Sequence, residues 1–187
     1  ILSAAPVCNE TDRVLFAGHN LPLDFDPDPQ PMRLVRAFPN LSFSGPVLVT
    51  APPDNSNRLF VVEQSGKIFS FPNDPDVREA DLVIDLAKEI EGVQQGYALA
   101  FHPGFEDNRY CYVCYIKASS LEDGTHVARF RMTDTDPPTI DVSSETTILT
   151  WWSGGHNGCC LKFGHDGYLY ISTGDGGAPN PPDPKKA

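Results

Sequence analysis

Three stretches of this chain repeat one arrangement of short strand-like segments, and that repeat restricts the fold more than any other feature. The first unit reads Val47 to Thr50, Asn57 to Val62, a Ser65-Gly66 turn, Lys67 to Phe71 and Leu82 to Leu86. The second reads Ala98 to Phe101, Asn108 to Val113, Val127 to Met132 and Thr147 to Trp152. A third opens with Leu161 to Phe163 and Tyr168 to Thr173, so that Leu48, Leu99 and Leu161 hold equivalent places, 51 and 62 residues apart. The segments are β-branched and aromatic and are punctuated by Gly, Asn, Asp and Pro, as strands and their turns are. Four strands recurring every ~40–60 residues indicate a β-propeller, each repeat being one blade. The fold expected is therefore all-β, built of four-stranded antiparallel blades, with about two and a half present. Closed propellers have ~4–8 blades, which predicts that the chain is part of a longer protein. An open fan leaves an unpaired edge, so this part alone is expected to be weakly stable.

Residues 1 to about 35 lack such periodicity and are rich in Pro and Asp, with DFDPDPQP over Asp24–Pro31. They read as an extended leader or linker, with the propeller part over 36–187. Elsewhere, 40% hydrophobic and 21% charged residues, with 18 Pro and 15 Gly, suit a turn-rich globular core. A net charge of −11 without a basic cluster argues against nucleic acid as a partner. No run approaches the ~18 apolar residues that read as a membrane-spanning helix.

Five cysteines, Cys8, Cys111, Cys114, Cys159 and Cys160, do not make a dense disulfide framework. Cys111 and Cys114 form a C-x-x-C, but within Tyr110–Tyr115 the strand period of two puts them on opposite faces. They are expected to be buried strand cysteines. His156 with Cys159 and Cys160 makes a poor metal site, because adjacent strand cysteines diverge and no fourth ligand stands nearby. No metal ligand is expected in this part of the protein.

The residues that carry chemistry stand near the C-terminal end, in WSGGHNGCCLKFGHDGYLYISTGDGG. Cys160–Phe163 and Tyr168–Thr173 flank a Gly164-His165-Asp166-Gly167 turn and predict a hairpin. His156 precedes its first strand and Asp175 follows its second, so pairing brings both to one end of the sheet. A carboxylate beside an imidazole fixes its tautomer and stabilises the imidazolium, which makes a general base near neutral pH. This points to an enzyme with His156 and Asp175 as catalytic residues; the alternative is that His156 only caps a turn and Asp175 only satisfies its own backbone, the commoner fate of either residue taken alone.

Three motifs in order carry a family resemblance over roughly residues 36 to 180. They are Asn57-Arg-Leu-Phe-Val-Val-Glu-Gln-Ser-Gly-Lys-Ile68; Leu99-Ala-Phe-His-Pro103 with Phe105 and Asn108; and His156-Asn-Gly with Phe163-Gly-His-Asp-Gly-Tyr-Leu-Tyr170 and Gly174-Asp-Gly-Gly177. This resembles the soluble quinoprotein glucose/sorbosone dehydrogenases, six-bladed propellers that bind pyrroloquinoline quinone (PQQ) and calcium on the axis and oxidise aldose sugars. The resemblance implies that His156 takes the proton of the anomeric hydroxyl while hydride passes to the quinone, with Asp175 orienting it. Their separation of 19 residues matches the family pattern. It further implies a periplasmic or secreted location and an electron acceptor such as a cytochrome or quinone.

Gln94 and Gln95 stand where some relatives hold the sugar with a Gln, although Gly92-Val-Gln-Gln-Gly-Tyr-Ala98 departs from the family's usual sequence there and leaves the register open between them. His102 is read as a structural turn histidine, His165 as solvent-exposed, and Trp151 and Trp152 as packed between blades. The residues that grip PQQ and calcium lie mostly on later blades in the family, so this part alone is expected to be inactive. The same motifs also resemble the propeller of Hedgehog-interacting-type proteins, which bind a protein partner. A third reading is a propeller lactonase with a carboxylate-rich metal cage, for which an imidazole–carboxylate pair is a poor match.

Overall fold

The computed structural model describes residues 34–118 and 121–177. The chain divides after Val35, and the leader expected over 1–35 falls, except for exposed Leu34 and Val35, outside the described residues. In the second unit, β1 (Pro46–Thr50), β2 (Arg58–Glu63), β3 (Lys67–Pro72) and β4 (Asp81–Asp85) form one antiparallel sheet in chain order. A short helix α1 (Leu86–Glu89) leads to β5 (Gln95–Phe101), and α2 (Phe105–Asn108) leads to β6 (Tyr110–Ile116). With β7 (Thr125–Met132) and β8 (Ile140–Trp151) these make a second four-stranded sheet. The hairpin of β9 (Cys160–Phe163) and β10 (Leu169–Ser172) is the start of a third. The first strands of the three units lie side by side, β5 touching both β1 and β9. These are two complete propeller blades and half of a third.

Two seams hold the blades together, and their composition follows from strand alternation. Between blades 1 and 2 lie large side chains, Phe60, Val62, Ile68 and Leu86 against Leu99, Phe101, Val113, Tyr115, Phe130 and Met132. Phe101 sits edge-on to Phe60 at 5.0 Å and to Phe105 at 4.8 Å, the preferred aromatic arrangement. Each such side chain, fully buried, contributes roughly 1.5–3 kcal/mol. The seam between blades 2 and 3 is small-sided, with Ala98, Ala100, Cys114 and Val127 receiving Leu161, Leu169, Ile171 and the ring of Trp151. Trp151 thus packs between blades as expected. Cys111 lies in the first seam and Cys114 in the second, which is the opposite-face placement read from their spacing.

The strand reading differs from the structure in several places, β5 starting at Gln95 and β6 running from Tyr110 to Ile116 among them. Leu86 begins α1 instead of ending β4, its amide bonded to the Gly66 carbonyl at 3.1 Å. The expected strand Thr147–Trp152 is the second half of β8, which starts at Ile140. Beyond buried Ile140 its first half is mostly polar and lies at the outer edge of the sheet, so little alternation is there to read. Both blades carry Asn-Arg before their second strand, Asn57-Arg58 and Asn108-Arg109, but the two pairs are offset by one. Asn57 itself takes the left-handed conformation (φ 52°) and Arg58 opens β2, whereas in blade 2 it is Arg109 that does so (φ 57°), closing α2 before Tyr110.

Candidate active site

The loop between β8 and β9 is fixed to blade 2 before it reaches His156. Fully buried Ser153 donates its amide to the Leu121 carbonyl at 3.2 Å and its hydroxyl to the Ala118 carbonyl. Asn157, buried in turn, uses both ends of its carboxamide on one residue. Its Nδ2 donates to the Gly154 carbonyl at 2.7 Å and its Oδ1 accepts the Gly154 amide at 2.8 Å. The chain leaving β10 is then stitched to this loop, Gly174 donating to the Asn157 carbonyl at 2.5 Å and Gly176 to the His156 carbonyl at 3.0 Å. A Cβ on Gly174 would overlap the His156 carbonyl oxygen, so only glycine permits this approach.

These bonds bring His156 Nδ1 within 3.1 Å of Asp175 Oδ1. The same oxygen accepts the Gly177 amide at 3.2 Å, which fixes the carboxylate. An ionised carboxylate only accepts, so Nδ1 carries the proton and Nε2 is left as the acceptor. The His156 side chain is 54% exposed and that of Asp175 33%, so Nε2 can be reached from outside. The arrangement can take a proton from a hydroxyl or water and hold the resulting imidazolium against Asp175.

The two glutamines do not join this pair. Register places Gln95 opposite Ile116, Ile116 opposite Thr125 and Thr125 opposite Trp151, so Gln95 stands at the end of blade 2 from which the His156 loop departs. Yet Gln95 Oε1 accepts the Tyr97 hydroxyl at 3.0 Å, and that hydroxyl accepts Gln64 Nε2 at 3.3 Å. Gln94 is exposed, bonded through its amide to the Ile116 carbonyl at 2.8 Å. Gln64 and Tyr97 were not singled out from sequence, although Gln64 lies within the Asn57–Ile68 motif and Tyr97 within the Gly92–Ala98 stretch. His102 is a turn residue: its Nδ1 accepts from the Gly104 amide at 2.9 Å and from Asn108 Nδ2 at 2.8 Å. Asn108 Oδ1 is held by the Tyr110 amide at 2.8 Å, which fixes the carboxamide's orientation. His165 is exposed in the β9–β10 turn.

The glucose/sorbosone dehydrogenase family profile matches residues 43–187. The chain belongs to that family. Hedgehog-interacting protein of Mus musculus is 28% identical over 145 residues, which cover 70% of this chain and 21% of that protein. HIPL2 protein of Arabidopsis thaliana is 28% identical over 176 residues, covering 69% and 25%. The chain thus spans about a fifth to a quarter of the length of these curated relatives. Among solved structures, the PQQ-bound form of aldose sugar dehydrogenase from Streptomyces coelicolor superposes with a TM-score of 0.62 at 18% identity, covering 78% of this chain and 42% of that one. A glucose dehydrogenase from Thermus thermophilus gives 0.51 at 24% identity, covering 70% and 37%. At these identities the structural likeness establishes the shared propeller fold.

No cluster of three or more His, Cys, Asp or Glu among the described residues is placed to hold a metal ion. Among the described residues, no Lys or Arg forms an ion pair with Asp175. No helix among the described residues is long and apolar enough to cross a membrane.

Proposed function

We propose that the protein containing this chain oxidises an aldose sugar or related alcohol, with His156 as general base and Asp175 as the residue that orients it. The observation that carries this reading is the Nδ1 to Oδ1 distance of 3.1 Å with Nε2 left open. Nε2 takes the proton of the substrate hydroxyl, and Asp175 stabilises the imidazolium that forms. The carbon-bound hydride needs an acceptor that the described residues do not provide. PQQ, present in the Streptomyces coelicolor structure, is the proposed acceptor, with calcium as its companion and a cytochrome or quinone downstream. A periplasmic or secreted location belongs to the same proposal. Gln94 or Gln95 remains the proposed sugar contact, Gln95 having the better position at the end of blade 2 that leads to His156.

The test is dye-linked oxidation of a panel of aldoses and alcohols by the full-length protein with PQQ and Ca²⁺ added back. Activity that needs both additions and falls by roughly 10²–10⁴-fold in a folded His156→Ala variant is expected. A folded protein that neither binds PQQ nor oxidises any substrate overturns the reading. It would favour the alternative to which the mouse and human Hedgehog-interacting proteins, both 28% identical, point: a propeller that binds a protein partner.

A further inference from the structure

We infer that Cys114 and Cys159 form an oxidation site, closing to a disulfide that ties blade 2 to the loop carrying His156. Cys114 lies mid-strand on β6, between Ala98 and Val127 on the neighbouring strands, with its side chain in the seam between blades 2 and 3. Cys159 directly precedes β9 and packs against the same seam, two residues before Leu161, which strand alternation turns to the same side. The other described thiols are placed elsewhere. Cys111 is in the opposite seam, and Cys160, next to Cys159, is exposed at the start of β9. Either cysteine alone would be explained as a small apolar filler. Two thiols from different blades in one seam, one of them partly accessible, make a site with its own chemistry.

The oxidant is a small-molecule disulfide such as oxidised glutathione. Cys159, the accessible member, attacks as thiolate and forms a mixed disulfide, releasing one glutathione thiolate. Cys114 then loses its proton to that thiolate and attacks the Cys159 sulfur, forming the protein disulfide and releasing the second glutathione. Two protein thiols and one oxidised glutathione become one protein disulfide and two reduced glutathiones. In the reduced pair the neighbouring Cys159 thiol and burial both raise the Cys114 thiol above the usual range; burial persists once Cys159 carries glutathione, so closure is the slow step. The rate of closure therefore rises with pH. His156 stands three residues before Cys159, so the bond tethers its loop at one end while leaving the His156–Asp175 contact intact.

The full-length protein is incubated with oxidised glutathione, alkylated, and digested without reductant. The expected result is one peptide joining Cys114 to Cys159, joint loss of both thiols to alkylation, and their return with dithiothreitol. Cys160→Ser forms the same link, and Cys114→Ala leaves Cys159 as a stable glutathione adduct. The assignment is overturned if Cys159 retains glutathione or pairs with another cysteine while Cys114 stays alkylatable after unfolding. It is also overturned if neither thiol reacts under conditions that fully modify Cys160. Both readouts are independent of sugar oxidation.

Discussion

The carboxamide of Asn157 closes a two-bond ring on Gly154, donating to its carbonyl at 2.7 Å and accepting its amide at 2.8 Å, with both ends of the group engaged below the surface. Replacing it with Ala removes both bonds and leaves two buried backbone groups without partners. Asn157→Ala is expected to cost about 2–4 kcal/mol, read as a lowered denaturation midpoint. Asn157→Asp loses the Nδ2 donor and adds a buried charge, so it should be no milder.

Asp175→Asn tests orientation separately from the base. An amide in that place can present its N–H to Nδ1 and select the tautomer whose Nε2 is already protonated. If the proposed oxidation is right, kcat falls by roughly 10²–10⁴-fold with KM little changed, while thermal stability moves little because the site is partly exposed. An equal loss in KM would show instead that Asp175 contacts substrate.

At the other end of blades 1 and 2, Arg109 reaches Asp54 at 3.3 Å and lies 4.4 Å over the ring of Phe105. The side chains are 17% and 9% exposed, so the pair is largely desolvated. Arg109→Ala leaves the Asp54 carboxylate without its counter-ion, with Ser56 as its remaining partner, and uncovers Phe105; an expected loss of about 2–4 kcal/mol should appear in urea unfolding. Arg109→Lys should recover less than half, since an ammonium neither stacks nor forks.

Burial raises the Cys111 thiol to about 12. Burial, with the hydrogen bond to Glu145, pushes the Tyr115 phenol up as well. Both groups are held neutral by the fold, so the unfolded chain ionises first as pH rises. Stability that is complete below about pH 9 should fall as pH approaches 12, by a few kcal/mol. Urea midpoints measured across that range check this, and Cys111→Ala should make the decline shallower. An alkaline decline unchanged in that variant would remove Cys111 as a cause.

Wherever a strand had a buried face, its sequence announced it. The β9–β10 hairpin was legible because Leu161, Leu169 and Ile171 face the seam and Gly167 supplies the turn at φ 83°. The His156–Asp175 pair was legible because a hairpin forces its two flanks together. What holds the pair was not. Ser153 and Asn157 act through backbone groups of Ala118, Leu121 and Gly154, and bonds between loops leave no period in the sequence. That Cys114 and Cys159 share a seam was hidden for a related reason: it depends on how one blade stacks on the next. The polar half of β8 was missed because an exposed edge imposes no pattern.

With Cys111, Val113 and Tyr115 committed to one seam and Cys114 to the other, β6 has no slack on either side. A methylene added at Val113 can be relieved only by moving the strand toward blade 3, and one added at Cys114 only by moving it toward blade 1. Substitutions on opposite faces of this strand should therefore be strongly non-additive although their side chains never touch. The middle blade becomes the place through which packing changes in blade 1 are felt at the loop that bears the histidine.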